Sequence, residues 1–259
     1  MKIATWNVNG IRARQFQAHE WIEQARPDVL CLQEIKAAPE QLPSTLRELE
    51  NYWCCWHGEK GYSGVGLHVR KDVLSDQPVF ENPDFDFECR AVTVRLGALT
   101  IASIYVPNGG KDFDAKLRFL SQMGEWASGF LAEGSPLIVC GDLNVTRCDI
   151  DVHPKGRKKT AIGQRPEERM LFEKLLSRRL VDVGRTLDPN NDRLFTWWAP
   201  WRNHRQRNIG WRIDYILVSE MLRHLIVDCA VFRNIGTSDH APVVATFDLA
   251  GNNISPQCD

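Results

Sequence analysis

The sequence predicts a single α/β domain in which two β-sheets pack together and helices lie outside them. Short apolar, strand-like runs dominate its 259 residues, and helical segments are interspersed among them. Hairpin-like strand pairs are frequent and no glycine-rich phosphate loop follows the first strand, which disfavours a simple doubly wound fold. No linker divides the chain, and no repeat of a solenoid period is present. We therefore expect one domain over residues 1–250, followed by a polar, frayed tail over residues 251–259.

Apolar runs bounded by turn residues predict the strands, and apolar residues at helical spacing predict the helices. The predicted strands are 2–6, 29–32, 53–56, 65–69, 91–96, 99–105, 137–140, 213–218, 226–231 and 243–248. The predicted helices are 11–25, 39–50, 114–131 and 166–177. The last of these begins with a proline, which suits the first turn of a helix.

Composition limits the classes of function. The chain is 43% hydrophobic and 25% charged, with a formal net charge of −1, so any surface for nucleic acid must come from local clustering of Lys and Arg. No apolar run approaches the roughly 20 residues of a membrane span, and the N-terminus has no apolar signal core. The eight cysteines form no CxxC pair, so we expect reduced thiols. These features predict a cytoplasmic protein without membrane contact, and the lack of a heptad pattern makes a monomer the default.

Polar side chains follow several of the predicted strands. The stretch LIVCGDLNV at residues 137–145 is a buried strand that ends in Gly141, followed by Asp142 and Asn144. If the chain stays extended, these two side chains point the same way. Similar groups at the edges of, or inside, other strand-like runs are Asn7, Asn9, Gln33, Glu34, Tyr105, Asp214, Ser238, Asp239 and His240. Their number predicts a shared site.

These groups lie in six short blocks that together resemble one family. The blocks are WNVNG (6–10), LQE (32–34), YVPNGG (105–110), GDLN (141–144), WRIDY (211–215) and SDHAPV (238–243). In this order they resemble the exonuclease III/AP endonuclease family of the DNase I-like superfamily. The resemblance implies a four-layer α/β sandwich of two packed mixed β-sheets flanked by helices, with the site at one edge of the sheets. It also implies hydrolysis of double-stranded DNA 5′ to abasic sites, with some 3′→5′ exonuclease or 3′-phosphodiesterase activity.

The resemblance implies Mg²⁺ as the cofactor, with Mn²⁺ as a substitute. Mg²⁺ prefers carboxylate oxygen and water, and Glu34 is the best candidate for direct contact. Asp239 is a second metal-side ligand by the same resemblance. Some members carry Asp at the position of Asn9, where it contributes to the metal environment. With Asn9 the site loses one negative charge, so the sequence leaves the number of metal ions open.

Catalytic roles follow from the same resemblance. Asp142 would orient or deprotonate the attacking water, Asn144 would fix the nucleophile and phosphate, and Asn7 would hydrogen-bond to Asp142. Tyr105 would donate its hydroxyl to a phosphate oxygen. The remaining pair is Asp214 with His240: a buried acid needs a partner, and a nearby carboxylate favours the charged imidazole.

Two basic stretches are candidates for binding DNA. One is residues 155–159, KGRKK, and the other lies between Arg202 and Arg212, where four Trp fall within residues 197–211. Basic residues interleaved with aromatics suit a phosphate track with apolar wedges. By resemblance, the pocket for the flipped-out abasic sugar is lined by Trp197, Trp211 and Ile213, and DNA-contacting loops carry Arg12, Tyr62 and Lys111. Trp197 is larger than the Phe common at that position, which leaves the width of the pocket open.

Two other functions are compatible with a resemblance to the superfamily. A different phosphodiesterase of the superfamily would act on a phospholipid, an inositol phosphate or DNA in general. The WRIDY block with its Trp-rich approach, and the basic loop after GDLN, favour abasic DNA instead. A non-enzymatic regulator that binds nucleic acid would need to have lost residues that bind the metal or activate the water. All six such residues are present: Glu34, Asp142, Asn144, Asp214, Asp239 and His240.

Overall fold

The computed structural model describes residues 1–74 and 76–249 and confirms the four-layer α/β sandwich. Residue 250 and the predicted tail, 251–259, lie outside the described residues. The first sheet has the spatial order β11 (Ile226–Val231), β12 (Val243–Phe247), β1 (Lys2–Asn7), β2 (Val29–Gln33), β4 (Tyr62–Arg70) and β3 (Tyr52–Glu59). The second has the order β5 (Phe80–Glu81), β6 (Ala91–Leu96), β7 (Leu99–Tyr105), β8 (Leu137–Asp142), β10 (Asp214–Ser219) and β9 (Leu180–Asp182).

Helices cover the outer faces of the two sheets, except for the last, whose Val183 belongs to the core between the sheets. They are α1 (Gln15–Ala25), α2 (Ser44–Arg47), α3 (Phe113–Ala132), α4 (Pro166–Ser177) and α5 (Val183–Leu187). Successive residues of a strand face opposite sides, and this alternation forms separate layers of core. Ile3 faces the space between the sheets, whereas Ala4 packs with Trp21 of α1. Likewise Ile138 faces the first sheet and Val139 packs against α3 and α4.

One predicted helix is wrong. Residues 39–50 form only a 3₁₀ turn, Pro39–Gln41, and the single turn of α2. Pro43 lies between them, and a proline disfavours helical geometry in the residue before it. Leu42 is accordingly extended, with φ −74° and ψ 140°. The predicted helix over 11–25 also divides, into a 3₁₀ turn, Ile11–Arg14, and α1.

Three short elements escaped the sequence patterns, because two to five residues are too few to show a period. They are β5, β9 and α5. The other strands and the helices α3 and α4 lie where the patterns predict, with boundaries shifted by a few residues.

Each sheet is mixed, and each contains one parallel pair at its centre: β1 with β2, and β7 with β8. The carboxyl ends of a parallel pair lie at the same edge of a sheet. Gly141 lets β8 run against β7 at this edge: its φ is +151°, and a Cβ there would lie 1.8 Å from the carbonyl oxygen of Ile104. Asp142, the next residue, is thereby placed directly beside Tyr105.

The seven cysteines among the described residues are all free, and Cys258 belongs to the stretch that is not described. Within residues 1–74 and 76–249, none of the helices combines the length and the apolar character needed to cross a membrane.

His68 of β4 makes the fold sensitive to acid. It is fully buried, its ring centroid lies 4.3 Å from that of Trp56, and neither ring nitrogen has a hydrogen-bond partner among the described residues. Burial lowers the pKa of His68 to about 3. Below pH 6.5, His68 therefore binds a proton in the unfolded chain but stays neutral in the folded protein. The free energy of unfolding falls as the pH drops below that value.

We predict that His68→Leu reduces this acid sensitivity. The linkage amounts to about 2 kcal/mol between pH 6.5 and pH 5, at about 1.4 kcal/mol per pH unit. Urea unfolding measures the drop in unfolding free energy from pH 7 to pH 5 in each protein. This drop should be smaller in the variant than in the wild type by about 2 kcal/mol. The control is His224→Leu, at an exposed histidine. Equal losses in His68→Leu and the wild type would contradict the account.

Candidate active site

The polar groups at the carboxyl ends of the central strands converge on a cavity of about 320 Å³. Its lining residues are Asn9, Glu34, Lys36, Tyr105, Asn108, Asp142, Asn144, Ile162, Trp197, Trp211, Ile213, Asp239 and His240. Asn7 and Asp214 are buried behind this surface and bond to its members. The structure therefore brings together every residue for which the sequence predicted a catalytic or metal-binding role.

Asn7 joins the two sheets at the site. Its Nδ2 donates to Oδ2 of Asp142 at 2.9 Å and to Oε2 of Glu34 at 3.0 Å. Its Oδ1 accepts the backbone N–H of Asn9 at 2.9 Å. Glu34 follows β2 of the first sheet, and Asp142 ends β8 of the second. One fully buried amide thus fixes the two carboxylates relative to each other.

Asp142 and Asn144 form a tight turn, so the chain does not stay extended between them. Asn144 has φ +53°, in the left-handed region. The turn brings its backbone N–H to Oδ1 of Asp142 (2.9 Å) and its Nδ2 to Oδ2 (3.1 Å). Burial raises the pKa of Asp142 to about 7, aided by the charge of Asp214 and opposed by His240 and the hydrogen bond from Asn7. A carboxyl with that pKa can accept a proton near neutral pH.

Asp214 and His240 form the predicted carboxylate–imidazole pair. Nδ1 of His240 donates to Oδ2 of Asp214 at 2.9 Å, and its Nε2 lies 3.9 Å from Oδ2 of Asp142. Burial alone would lower the pKa of His240, but the Asp214 and Asp142 carboxylates outweigh burial and raise it to about 10. A charged imidazolium with a free Nε2–H is suited to contact an anionic oxygen.

Asp239 is held from both sides. Nδ2 of Asn9 donates to its Oδ1 at 2.7 Å, and the indole Nε1 of Trp197 donates to its Oδ2 at 2.9 Å. Burial would raise the pKa of Asp239, but the His240 charge and these two hydrogen bonds lower it overall. A Phe in place of Trp197 would lack the second donor, so this large wall residue also orients an acidic group of the site.

Lys36 is a site residue that the sequence patterns did not single out. Its Nζ donates to Oδ1 of Asn9 at 2.7 Å and lies 2.8 Å from Oε1 of Glu34. Glu34 and Lys36 both have left-handed backbone, with φ +56° and +52°. Such conformations cost non-glycine residues on the order of 1 kcal/mol and cluster at functional sites. The position of Lys36 two residues after Glu34 placed it near the site, but it did not show which groups the ammonium contacts.

The donor set fits a hard divalent cation. Glu34, Asp142 and Asp239 place carboxylate oxygens around one cavity, and such oxygens suit Mg²⁺ and Mn²⁺. Ligand atoms of Asp142, Asp214 and His240 also lie within 4.8 Å of one another. However, Nδ1 of His240 is bonded to Asp214 and its ring holds a proton, so we interpret this second group as a charge pair. The cation would bind nearer to Glu34.

Four apolar side chains form a wall of the same cavity. Trp197 and Trp211 meet edge to face, with ring centroids 5.3 Å apart, and Ile162 and Ile213 complete the wall. The structure thus places all three predicted pocket residues together. Ile162, from the loop after Asn144, was not predicted.

A second cavity of about 730 Å³ adjoins the first and shares Tyr105 and Asn108 with it. It contains two of the predicted DNA contacts: Lys111 lies 5.0 Å above the ring of Tyr62. The buried Arg90 donates to the hydroxyl of Tyr62 at 2.9 Å and lies 4.8 Å from the ring of Tyr105. Burial keeps the pKa of Tyr105 well above its usual value, so its hydroxyl remains a donor.

The third predicted DNA contact, Arg12, is exposed and lines neither cavity.

Two arginines of the second basic stretch do not form part of a DNA-binding surface. Arg212 is buried and pairs with Asp151 at 2.7 Å and Asp182 at 2.6 Å. Arg205 donates to backbone carbonyls, among them that of Ile235 at 2.9 Å. These two guanidiniums are structural, because their donors are already used.

Exposed groups remain available in both basic stretches. In the first they are Lys155, Arg157, Lys158 and Lys159, and in the second they are Trp201, Arg202 and Arg207. Trp198, in contrast, is buried and donates to Oδ1 of Asn208 at 3.1 Å.

Comparison with known proteins agrees with this geometry. The model of the endonuclease/exonuclease/phosphatase family matches residues 4–240. The DNA repair nuclease APEX1 of Danio rerio is 34% identical over 255 residues, which cover 94% of this chain and 81% of the relative. Exodeoxyribonuclease III of Haemophilus influenzae is 32% identical over 266 residues, covering 95% and 100%. A solved AP endonuclease from Archaeoglobus fulgidus superposes with a TM-score of 0.86 at 29% identity, covering 96% of this chain and 99% of that one.

The charge on His240 provides a test of the site that does not require activity. Asp214→Asn removes the carboxylate that contributes most to its raised pKa, so burial should then dominate and the pKa should fall by at least about 2 units. We predict this shift in an NMR titration of the His240 ring signal in metal-free protein. Asp84→Asn, at an exposed acid, is the control. An unchanged midpoint in Asp214→Asn would refute the assigned pair.

Proposed function

The chain belongs to the endonuclease/exonuclease/phosphatase family and, within it, to the exonuclease III/AP endonuclease group, and from this premise we propose how it acts on DNA. It hydrolyses the phosphodiester bond 5′ to an abasic site in double-stranded DNA, with additional 3′→5′ exonuclease or 3′-phosphodiesterase activity. One observation carries the proposal: the Asp142 and His240 side chains lie in the same cavity as an apolar wall of two Trp and two Ile.

This combination favours a sugar that has lost its base. The wall formed by Trp197, Trp211, Ile162 and Ile213 offers apolar contact to one side of a deoxyribose, while the charged groups face its phosphate. Extrusion from the duplex costs least where no base must be unstacked. The exposed lysines and arginine at residues 155–159 offer several charges to the successive phosphates of a duplex.

The reaction is a single in-line displacement by water. Asp142, held by Asn7 and Asn144, positions the water and accepts its proton. The water oxygen bonds to phosphorus and the bond from phosphorus to the 3′ oxygen breaks. The leaving 3′ oxygen takes a proton from solvent water, which gives a 3′ hydroxyl and a 5′ phosphate. His240 and Tyr105 donate to the phosphoryl oxygens as their negative charge grows. No activated Ser or Cys is present among the described lining residues, so no covalent intermediate is expected.

The family is metal-dependent, and we propose Mg²⁺, with Mn²⁺ as a substitute, bound by Glu34 with Asp239 on the metal side. When bound, the cation would stabilise negative charge on the phosphoryl oxygens. Asn9 contributes no charge, and its amide oxygen and nitrogen are already bonded to Lys36 and Asp239. Asn9 therefore acts on the metal site through those two neighbours.

Duplex DNA would lie across both cavities and the basic loop, with Arg12, Tyr62 and Lys111 as backbone contacts. We also propose that the protein acts as a monomer in the cytoplasm. The free thiols of the described residues support a reducing compartment.

The proposal is tested with a labelled duplex that carries one abasic-site analogue, assayed with Mg²⁺ and with EDTA beside an intact duplex. Incision at the lesion only, dependent on the metal, is expected. Equal cutting of both duplexes would replace the proposal with a general nuclease. No cutting with Mg²⁺, or with Mn²⁺ in its place, would point to another phosphodiester or to a protein that only binds.

We predict that Asp142→Asn lowers kcat for the abasic duplex by about 10²- to 10⁴-fold, because general-base catalysis contributes that much. The affinity for the duplex should change little, since Asn keeps the shape of the side chain. Steady-state kinetics and a binding titration measure both quantities. Asp84→Asn is the matched control. A kcat within a few-fold of wild type would exclude Asp142 as the base.

The basic loop makes a separate prediction. Binding should weaken as salt rises, and Lys158→Ala with Lys159→Ala should reduce the slope of log K against log salt by about 2, roughly one unit per phosphate contact. Fluorescence anisotropy with an uncut abasic duplex in EDTA gives the slope. Lys174→Ala, at an exposed lysine of α4, serves for comparison. If the double variant keeps the wild-type slope, the loop does not contact phosphates.

A further inference from the structure

A buried ion pair lies behind the active site, between α3 and α4. Lys116 and Glu168 have side chains with no exposed surface, and their charged groups are in contact. Burial lowers the pKa of Lys116 despite the neighbouring carboxylate. Removing two charges from water is costly, and apolar residues of similar volume often give equal or greater stability. Stability alone is therefore a weak reason for this pair.

The lysine reaches the main chain of a catalytic residue. Nζ of Lys116 donates to the carbonyl oxygen of Asn144 at 2.7 Å. Asn144 has left-handed backbone, so the orientation of its two peptide groups determines where its side chain lies. That side chain donates to Asp142 and to the carbonyl of Val106 (2.9 Å) and accepts from Nδ2 of Asn108 at 3.2 Å. The ammonium group thus fixes the residue that holds the catalytic carboxylate.

The glutamate holds the segment that carries Ile162 of the apolar wall. Oε1 of Glu168 accepts the backbone N–H of Gly163 at 2.6 Å and that of Arg165 at 2.9 Å. Gly163 has φ +89°, and a Cβ there would lie 3.0 Å from the ring of Trp211 and 3.3 Å from the carbonyl oxygen of Asn144. Gly163 is therefore packed between the apolar wall and the catalytic turn, with Ile162 of the wall as its neighbour in the chain.

The stem of the lysine supports a third segment. A Cβ at Gly109, which has φ +88°, would lie 2.9 Å from Cδ of Lys116. Gly109 belongs to the loop 105–110 that carries Tyr105 and Asn108 into the site. Three segments of the cavity therefore rest on one ion pair.

We propose that Lys116 and Glu168 are positioning residues that set Asn144 and the wall at residues 162–163 relative to Asp142. Neither lines the catalytic cavity, so their effect passes through the groups that they bond. This inference rests on the function proposed above. It assigns the ion pair to catalytic geometry rather than to the stability of the fold.

The decisive variant replaces both partners, Lys116→Met with Glu168→Met. The pair of methionines removes both buried charges, which favours stability, but it also removes the partners of backbone groups at Asn144, Gly163 and Arg165, so the thermal unfolding temperature should change by only a few degrees. Catalysis should fall nonetheless: we expect kcat for the abasic duplex to drop about 10- to 100-fold with KM changed little, because small displacements in a site have effects of that size. Arg223→Met with Glu220→Met, at an exposed ion pair, is the matched control.

Hydrogen exchange provides a readout that does not depend on activity. In metal-free protein the side-chain amide of Asn144 should exchange at least about 10-fold faster in the double methionine variant, while core backbone amides keep their protection. If the double variant does not fold, Glu168→Gln replaces it. Gln keeps an acceptor for Gly163 and loses the charge, and the same two changes are expected in smaller amount.

The outcomes separate this inference from the proposed function. Failure of the wild type to cut the abasic duplex would overturn the function, while the exchange of Asn144 would still test the ion pair. Wild-type kcat and wild-type Asn144 exchange in a folded variant would overturn the ion-pair inference. A loss of unfolding temperature without a change in either readout would overturn it equally.

Discussion

The site depends on one buried amide, that of Asn7, which hydrogen-bonds to a carboxylate on each of the two sheets. Two packed sheets have no covalent link at this edge, and packing of apolar faces alone does not fix their relative position to a fraction of an ångström. Gln33 adds a second polar bridge, since its Nε2 donates to Oγ of Ser103 at 3.1 Å across the same interface. Buried hydrogen bonds of this kind are directional and costly to leave unmade. They hold the sheets in the register that the chemistry requires.

Burial also separates the roles of groups that are otherwise similar. Burial raises the pKa of Asp142 to about 7. The pKa of Asp239 is lowered instead, because its burial is outweighed by the charge of His240 and the hydrogen bonds from Asn9 and Trp197. One carboxyl can therefore exchange a proton, and the other stays ionised beside the proposed cation site. His240 remains charged because Asp214 lies behind it. Pairs of titratable groups whose surroundings push their pKa values apart identify acid and base in many enzymes.

Much of this was readable in the sequence, because polar residues at the ends of apolar runs predict where strands deliver them. Lys36 and Lys116 were not, since a lone lysine on a helix or after a strand gives no sign of what its ammonium will meet. The structural roles of Arg205 and Arg212 were hidden for the converse reason, because a basic run does not reveal partners that are distant in sequence. Arg212 pairs with Asp151 and Asp182, and Arg205 donates to backbone carbonyls. The failed helix at 39–50 shows a local conflict, where apolar spacing was outweighed by Pro43.

The most direct test of the account is Asn7→Ala, measured by single-turnover incision of an abasic duplex alongside urea unfolding. The bridge predicts that the rate falls by about 10²-fold or more, since Asp142 and Glu34 lose their common donor, while the unfolding free energy falls by only about 1–3 kcal/mol. Asn190→Ala, at an exposed asparagine, should change neither quantity much. An incision rate close to wild type in folded Asn7→Ala would contradict the claim that this amide holds the two halves of the site together.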